Sequence, residues 1–165
     1  MHDALTWLWG RLPFRGRVRS AIIWWLSPKY VVGVAALVLD EQDRVLLLRH
    51  TYRGSRPWGL PGGGLKPGES LEECVEREVL EETGLRVEAE HLLSAAAHYD
   101  RRLVDMIFSC RVLPGYDLTT FKPNAEVAEA RFFSRDELPQ GMSWGQRRLV
   151  SVALAQAEER RQGAC

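Results

Sequence analysis

Residues 63–85 read GGLKPGESLEECVEREVLEETGL and hold the most informative pattern in the chain. Ser70 is a favoured residue for the start of a helix, and Glu73 follows it at the spacing of a capping box. Gly84 can adopt the left-handed conformation that ends a helix. The pattern therefore predicts a helix from about Leu71 to Thr83.

This helix directs several carboxylates along the side that packs on the protein. At about 100° per residue, Val75 and Val79 mark the buried side, and Glu78, Glu81 and Glu82 fall close to it. The neighbouring acidic residues are assigned to an ordinary solvated face: Glu72, Glu73 and Glu76. Carboxylates crowded in a partly desolvated place repel one another, and a divalent cation with oxygen ligands relieves that repulsion. The helix is therefore a candidate metal site.

The rest of the chain divides into a short segment and one domain. Residues 1–29 are rich in Trp and Arg, and residues 30–165 are predicted to be an α/β domain. Apolar runs at 31–39 and 45–48 predict two buried strands that form a hairpin. Further elements are predicted as strands at 92–98, 103–113 and 130–133 and as a final helix at 145–161.

Composition narrows the class of protein. The 165 residues are 45% hydrophobic and 27% charged, which is typical of a globular domain. A formal net charge of +0 gives no reason to expect a nucleic-acid partner. The three cysteines show neither metal spacing nor a disulfide framework, so we expect a cytoplasmic location. No apolar run is long enough to cross a bilayer.

The stretch from Gly63 to Leu85 also resembles the signature of a known family. It matches every fixed position of G-x5-E-x7-R-E-U-x-E-E-x-G-U, the Nudix box, in which U is aliphatic. Residues 58–63 and 132–139 are similar to segments that usually flank this box in the family. The resemblance covers about residues 31–139, and it implies an α/β/α sandwich around a mixed β-sheet.

The resemblance also implies a role for each matched residue. The expected metal ligands are three carboxylates and one backbone carbonyl: Glu78, Glu81, Glu82 and Gly62. A further carboxylate usually comes from the loop before the last strand, where Glu126 is our prediction and Glu129 the alternative. Glu69 and Arg77 would form a supporting pair that holds the loop against the helix. The expected metal is Mg²⁺, with Mn²⁺ as the second choice.

These residues indicate a pyrophosphohydrolase that cleaves a diphosphate linkage by attack of water at phosphorus. Divalent cations neutralise phosphate oxygens and make water a better nucleophile. A carboxylate within reach takes the proton, and the candidates are Glu78, Glu81 and Glu126. The expected substrate is a nucleoside diphosphate or triphosphate derivative. The alternative is a catalytically silent nucleotide-binding or regulatory module of the same fold.

Four side chains are candidate substrate contacts: Arg49, Arg53, Arg56 and Tyr99. The three arginines, together with His50, are expected around the mouth of the site. Guanidinium groups recognise phosphate well, although these arginines can also simply solvate a loop. Tyr99 is either a nucleotide contact or a plain sheet tyrosine.

Residues 1–29 allow three interpretations. The segment can pack on its own domain, form a homodimer contact or lie on a membrane as an amphipathic helix. The neutral overall charge gives little attraction to anionic lipid, and Gly10, Pro13 and Gly16 interrupt a long helix. Packing or dimerisation is therefore favoured, and membrane association is disfavoured.

Overall fold

The structure is a computed structural model that describes residues 17–163. It divides the chain into two compact units, residues 1–30 and 31–165, which are described separately. In the smaller unit, helix α1 spans Arg17–Leu26 and ends in an apolar run. The glycines and proline predicted to interrupt a longer helix, at positions 10, 13 and 16, lie outside the described residues.

The larger unit is built on a mixed β-sheet with seven strands in the part of the chain that the structure describes. The strands are β1 (Val31–Leu39), β2 (Val45–His50), β3 (Trp58–Gly59), β4 (Gly62–Gly64), β5 (Val87–His98), β6 (Leu103–Val112) and β7 (Val127–Phe133). The main path runs β3-β2-β1-β6-β5, with β4 beside β1 and β7 beside β2. Strands β1 and β6 are parallel, and the other pairs are antiparallel.

Two helices cover the two faces of this sheet. Helix α2 (Leu71–Thr83) and helix α3 (Trp144–Gly163) each pack on a separate apolar cluster. Along β2, Leu46 and Leu48 join the cluster under α2, whereas Val45 and Leu47 join the cluster under α3. Burial on both faces explains why the strand sequences are continuously apolar rather than alternating. The α/β/α sandwich around a mixed sheet is thus confirmed.

Most predicted elements are present, with shifted ends. The hairpin is confirmed, since Leu39 pairs with Val45 across the turn. Strand β5 begins at Val87, five residues before its predicted start. The pattern missed this first part because two bulges disturb the side-chain alternation of the strand. Strand β7 likewise begins three residues early, at Val127. Two short 3-10 helices, Leu118–Thr120 and Arg135–Glu137, flank β7 in the chain.

Helix α2 has the predicted bounds because both of its ends are capped as expected. The Ser70 hydroxyl accepts from the Glu73 amide at 3.1 Å, and the Glu73 carboxylate accepts from the Ser70 amide at 2.7 Å. Gly84 ends the helix at φ 79°, where a side chain would be strained. These caps fix the rotation of the helix, and therefore the side on which its carboxylates lie.

Replacement of Ser70 by alanine tests the contribution of the cap. We expect Ser70→Ala to lower the free energy of unfolding by about 1 kcal/mol, because the amide of Glu73 loses its acceptor. Chemical denaturation measures the difference. Ser55→Ala is the control, since Ser55 is exposed in the loop between β2 and β3. Equal losses in the two variants would contradict the capping role.

Candidate active site

The candidate site is built where strand β4 passes beneath helix α2. Gly62 and Gly63 pair with Ala35 and Val34 of β1. A Cβ atom on Gly63 would overlap the carboxylate of Glu78, and one on Gly62, at φ 153°, would overlap the Val34 carbonyl oxygen. The glycine-rich stretch therefore lets the helix carboxylates approach the backbone of the strand closely.

Arg77 is the centre of an ion-pair network at this junction. Its guanidinium donates to both carboxylate oxygens of Glu69, at 2.9 and 2.7 Å. It also donates to Glu78 at 2.7 Å, to Glu81 at 3.2 Å and to the Gly64 carbonyl at 3.1 Å. The bonds that Glu69 accepts from Arg77 lower the pKa of Glu69 to about 2, and a bond from the Lys66 amide acts in the same direction. The structure thus joins the loop before α2 to the helix through the two residues predicted as a supporting pair.

Glu82 is one of the partly buried carboxylates among the predicted metal ligands. Its pKa is raised to about 7, mainly by burial and also by the charges of Glu78 and Glu126. A hydrogen bond from the Gly62 amide, at 2.8 Å, and the charge of Arg53 act in the opposite direction. The Glu82 carboxylate therefore occupies a place where negative charge is concentrated and poorly solvated.

The three carboxylates of α2 do not form a ready-made metal cage. The Glu78 side chain is 15% exposed and bonded to Arg77, whereas that of Glu81 is 53% exposed and also pairs with Lys66 at 3.4 Å. Within residues 17–163, no three His, Cys, Asp or Glu side chains lie close enough together to bind a metal ion as they stand. The reason is local, since Arg77 and the Gly62 amide hold these carboxylates on separate partners.

The register of β7 separates the two candidates for the additional carboxylate. Glu129 pairs with Arg49 across β2, at 3.2 Å between side chains, on the face covered by α3. Glu126 precedes the strand, and its charge acts on Glu82. The Thr51 amide donates to the Glu126 carbonyl at 3.0 Å and fixes the loop against β2. The structure therefore brings Glu126, not Glu129, to the acidic helix.

The predicted substrate contacts lie in different places. Arg53 is close enough to act on Glu82, and its guanidinium covers Gly59, where a Cβ atom would overlap it. Arg56 is exposed in the same loop. Arg49 is paired with Glu129 on the opposite face of the sheet, so it is not brought to the acidic helix. Tyr99 is 80% exposed in the turn between β5 and β6.

His50 differs from its predicted place among the exposed groups at the mouth. It is 2% exposed, at the end of β2, and neither ring nitrogen has a hydrogen-bond partner in the described part of the chain. Burial lowers its pKa to about 4, with a further contribution from the charge of Arg53. His50 is therefore neutral at neutral pH and cannot attract phosphate by charge. Its even position in the alternation of β2, after Leu46 and Leu48, was the sequence signal for burial.

Glu76 also departs from its assignment to a solvated face. Its carboxylate accepts from the Ala89 amide at 3.0 Å, beside a bulge in β5. Glu76 therefore supplies an acceptor to a backbone amide of β5, the strand at the edge of the sheet. Glu73 serves in the helix cap, and Glu72 is exposed as expected.

Comparison with known proteins assigns the chain to a family. Residues 29–152 match the model of the NUDIX domain, so this chain belongs to the NUDIX family. It is 39% identical over 107 residues to the human 8-oxo-dGDP phosphatase NUDT18, covering 64% of this chain and 33% of that protein. It is 34% identical over 116 residues to a MutT-like protein of Streptomyces ambofaciens, covering 70% of this chain and 71% of the relative. The chain thus spans about a third of the length of the human relative.

Solved structures share the same architecture. A NUDIX hydrolase from Nitrosomonas europaea superposes with a TM-score of 0.69 at 28% identity, covering 83% of this chain and 75% of the other. An ADP-ribose pyrophosphatase from Streptococcus suis 89-1591 gives 0.60 at 30% identity, covering 77% and 92%. These similarities confirm both the family and the fold that the sequence predicted.

The burial of His50 predicts a dependence of stability on pH. Its pKa is lowered from 6.5 in the unfolded chain to about 4, so folding excludes a proton that the unfolded chain binds. The wild type should therefore lose stability as the pH falls from about 6.5 towards 4. We expect the unfolding free energy of His50→Gln, relative to wild type, to increase by about 1 kcal/mol between pH 7.5 and pH 5. Denaturation at both pH values measures it, with exposed His91→Gln as control. A difference that is independent of pH would contradict a buried neutral imidazole.

Proposed function

We propose that this protein hydrolyses a diphosphate linkage in a nucleoside diphosphate or triphosphate derivative, with water as the nucleophile at phosphorus. The observation that carries the proposal is the position of Glu78, Glu81 and Glu82 on one side of α2, where Glu82 accepts from the Gly62 amide and Glu78 lies beside Gly63. Such a concentration of carboxylates at a glycine-lined strand is costly for folding alone. A function that uses the negative charge accounts for it.

The donor set fits a hard divalent cation. All the side chains concerned offer carboxylate oxygens, which Mg²⁺ prefers and Mn²⁺ accepts. The raised pKa of Glu82 reflects burial and like charges, both of which a bound cation would offset. We propose that the ion is held by the three helix carboxylates, by Glu126 and by the carbonyl of Gly62. When bound, it supplies neutralisation of the phosphate oxygens and activation of water.

Two further roles fall to residues of the chain: orientation of the helix and proton abstraction. Arg77 and Glu69 orient the helix, because their paired hydrogen bonds fix the loop to it. Proton abstraction falls to one of three carboxylates: Glu78, Glu81 or Glu126. Glu81 and Glu126 are exposed, whereas Glu78 is mostly buried and bonded to Arg77. We therefore favour one of the exposed pair as the base that reaches a solvent-derived nucleophile.

Arg53 is the best-placed group for the phosphates of the substrate. It lies near enough to influence the charge of Glu82, and its guanidinium lies over Gly59 at the edge of the site. A guanidinium offers paired donors that suit phosphate oxygens. Arg56 shares its loop, whereas Arg49 is committed to Glu129. We propose that Arg53 contacts the diphosphate and that Arg56 assists.

The named relatives support the class of substrate and leave its identity open. One relative is an 8-oxo-dGDP phosphatase, and one structural neighbour is an ADP-ribose pyrophosphatase. Both named compounds contain a nucleoside joined to a diphosphate. That shared group agrees with an acidic metal site flanked by an arginine, so we propose a nucleoside diphosphate derivative as the common chemistry.

Hydrolysis of a nucleotide panel with Mg²⁺ or Mn²⁺ tests the proposal, and Glu82→Gln tests the metal assignment. We expect the wild type to release product only with metal, and Glu82→Gln to be inactive. Its unfolding free energy in the presence of a chelator should hold or rise slightly, because one crowded charge is removed. Glu72→Gln, an exposed change on the same helix, is the matched control and should retain activity.

Two results would count against these assignments. Near wild-type turnover by Glu82→Gln would show that Glu82 is not a metal ligand. A wild type that binds nucleotides but cleaves none of the panel, with either metal, would favour the catalytically silent module.

Arg77→Ala tests the supporting role of the ion pair. We expect a large fall in kcat, because the helix loses its bonds to Glu69 and Gly64 and its carboxylates shift. Metal affinity should change far less than in Glu82→Gln, since no ligand is removed. Titration calorimetry with Mn²⁺ measures the affinity. A loss of affinity equal to that of Glu82→Gln would contradict a purely positioning role.

A further inference from the structure

Helix α1 presents a run of exposed apolar side chains that the hydrolase site does not use. Five successive residues are 38% to 80% exposed: Ile22, Ile23, Trp24, Trp25 and Leu26. Contiguous apolar surface of this kind on a folded chain marks an interaction site. We propose that α1 and its flanking bases attach the protein peripherally to an anionic lipid surface. This proposal is independent of the proposed hydrolysis.

The charge around the helix complements such a surface. Residues 4–39 contain five bases and no Asp or Glu. The bases are Arg11, Arg15, Arg17, Arg19 and Lys29. The whole chain has 22 bases and 22 acids, so its formal net charge of +0 is the sum of a basic segment and an acidic remainder. A cluster of bases is attracted to anionic headgroups over about one Debye length, whatever the charge of a distant domain.

Two of these bases, Arg17 and Arg19, occupy positions where they do not stabilise the helix itself. The first turn of α1 carries Arg17 and Arg19 and no acid, and the last turn carries no base. This is the reverse of the arrangement that the helix dipole favours. The charges are therefore better explained by an external anionic partner.

Lys29 places a positive charge directly beside the aromatic residues. Its ammonium lies 4.4 Å from the centroid of the Trp24 ring and donates to the Ser27 carbonyl at 2.8 Å. Tryptophan and basic side chains together suit the boundary between headgroups and acyl chains. No helix in the described part of the chain is long and apolar enough to span a bilayer. The helix is therefore suited to lying at the membrane surface.

A second copy of the chain is a weaker partner for this segment. A symmetric contact through α1 would bring together two segments that each carry five bases and no acid. Like charges in contact repel, most strongly at low ionic strength. Anionic lipid offers both an apolar layer for the tryptophans and compensation for the bases.

Co-sedimentation of the full chain with vesicles tests the proposal. One set of vesicles is phosphatidylcholine alone, and the other contains about 30% phosphatidylserine. We expect binding to the anionic set, weakened as salt rises from about 0.05 to 0.5 M. The double variant Trp24→Ala/Trp25→Ala should lose at least about tenfold in apparent affinity. Arg17→Gln/Arg19→Gln should weaken binding and its salt dependence.

The control is Trp144→Ala, because Trp144 is 74% exposed on α3, in the other unit. We expect this variant to bind as the wild type does, and thermal unfolding verifies that each variant is folded. Failure of the wild type to bind anionic vesicles at low salt would overturn the proposal, as would equal binding to both vesicle sets. A third result would also overturn it. If light scattering shows that the wild type is a dimer, that Trp24→Ala/Trp25→Ala is a monomer and that neither binds vesicles, the partner of α1 is a second copy of the chain.

Discussion

A single guanidinium group determines how the acidic helix is held. Arg77 meets both oxygens of Glu69, one oxygen each of Glu78 and Glu81, and the carbonyl of Gly64. Its planar fork can reach these acceptors in fixed directions, which a flexible lysine ammonium cannot do. The loop before α2 and the helix itself therefore become one rigid piece. One positive charge among three carboxylates also leaves the junction negative, so the same interaction that orders the site leaves it receptive to a cation.

Partial burial of this negative charge lowers the stability of the fold, and the apolar core must offset that loss. Glu82 is buried far enough for its pKa to reach about 7, with only the Gly62 amide and a nearby arginine to compensate. Carboxylates in such a place destabilise a fold unless a partner charge or a bound cation compensates them. Apolar clusters on both faces of the sheet supply the opposing stabilisation. The glycines of β4 allow the close approach, so the position of the charges depends on the backbone beneath them.

Local signals in the sequence predicted local structure well. The bounds of α2 followed from Ser70 and Gly84, because a cap acts within one turn of the helix. The side chains that lie opposite each other on neighbouring strands could not be predicted in the same way. The pairing of Arg49 with Glu129, the bulge that follows it and the position of Glu126 depend on the register between strands 80 residues apart. For the same reason, the sequence could not show that Glu76 accepts from a backbone amide of β5, or that both ring nitrogens of the buried His50 lack a hydrogen-bond partner in the described part of the chain.

The net charge of a whole chain does not describe the charge of its segments. Two segments of this protein differ from the neutral total. The neutral total charge hides an acidic helix, where six glutamates between positions 72 and 82 face one arginine. It also hides the basic, tryptophan-bearing segment that contains α1. Electrostatic attraction in salt acts over about 10 Å, so each segment meets its own partner without regard to the total. The charge that matters for lipid is the charge next to the exposed tryptophans. By that measure the N-terminal segment is strongly cationic, and the neutral total charge of the chain does not weaken its attraction to an anionic membrane surface.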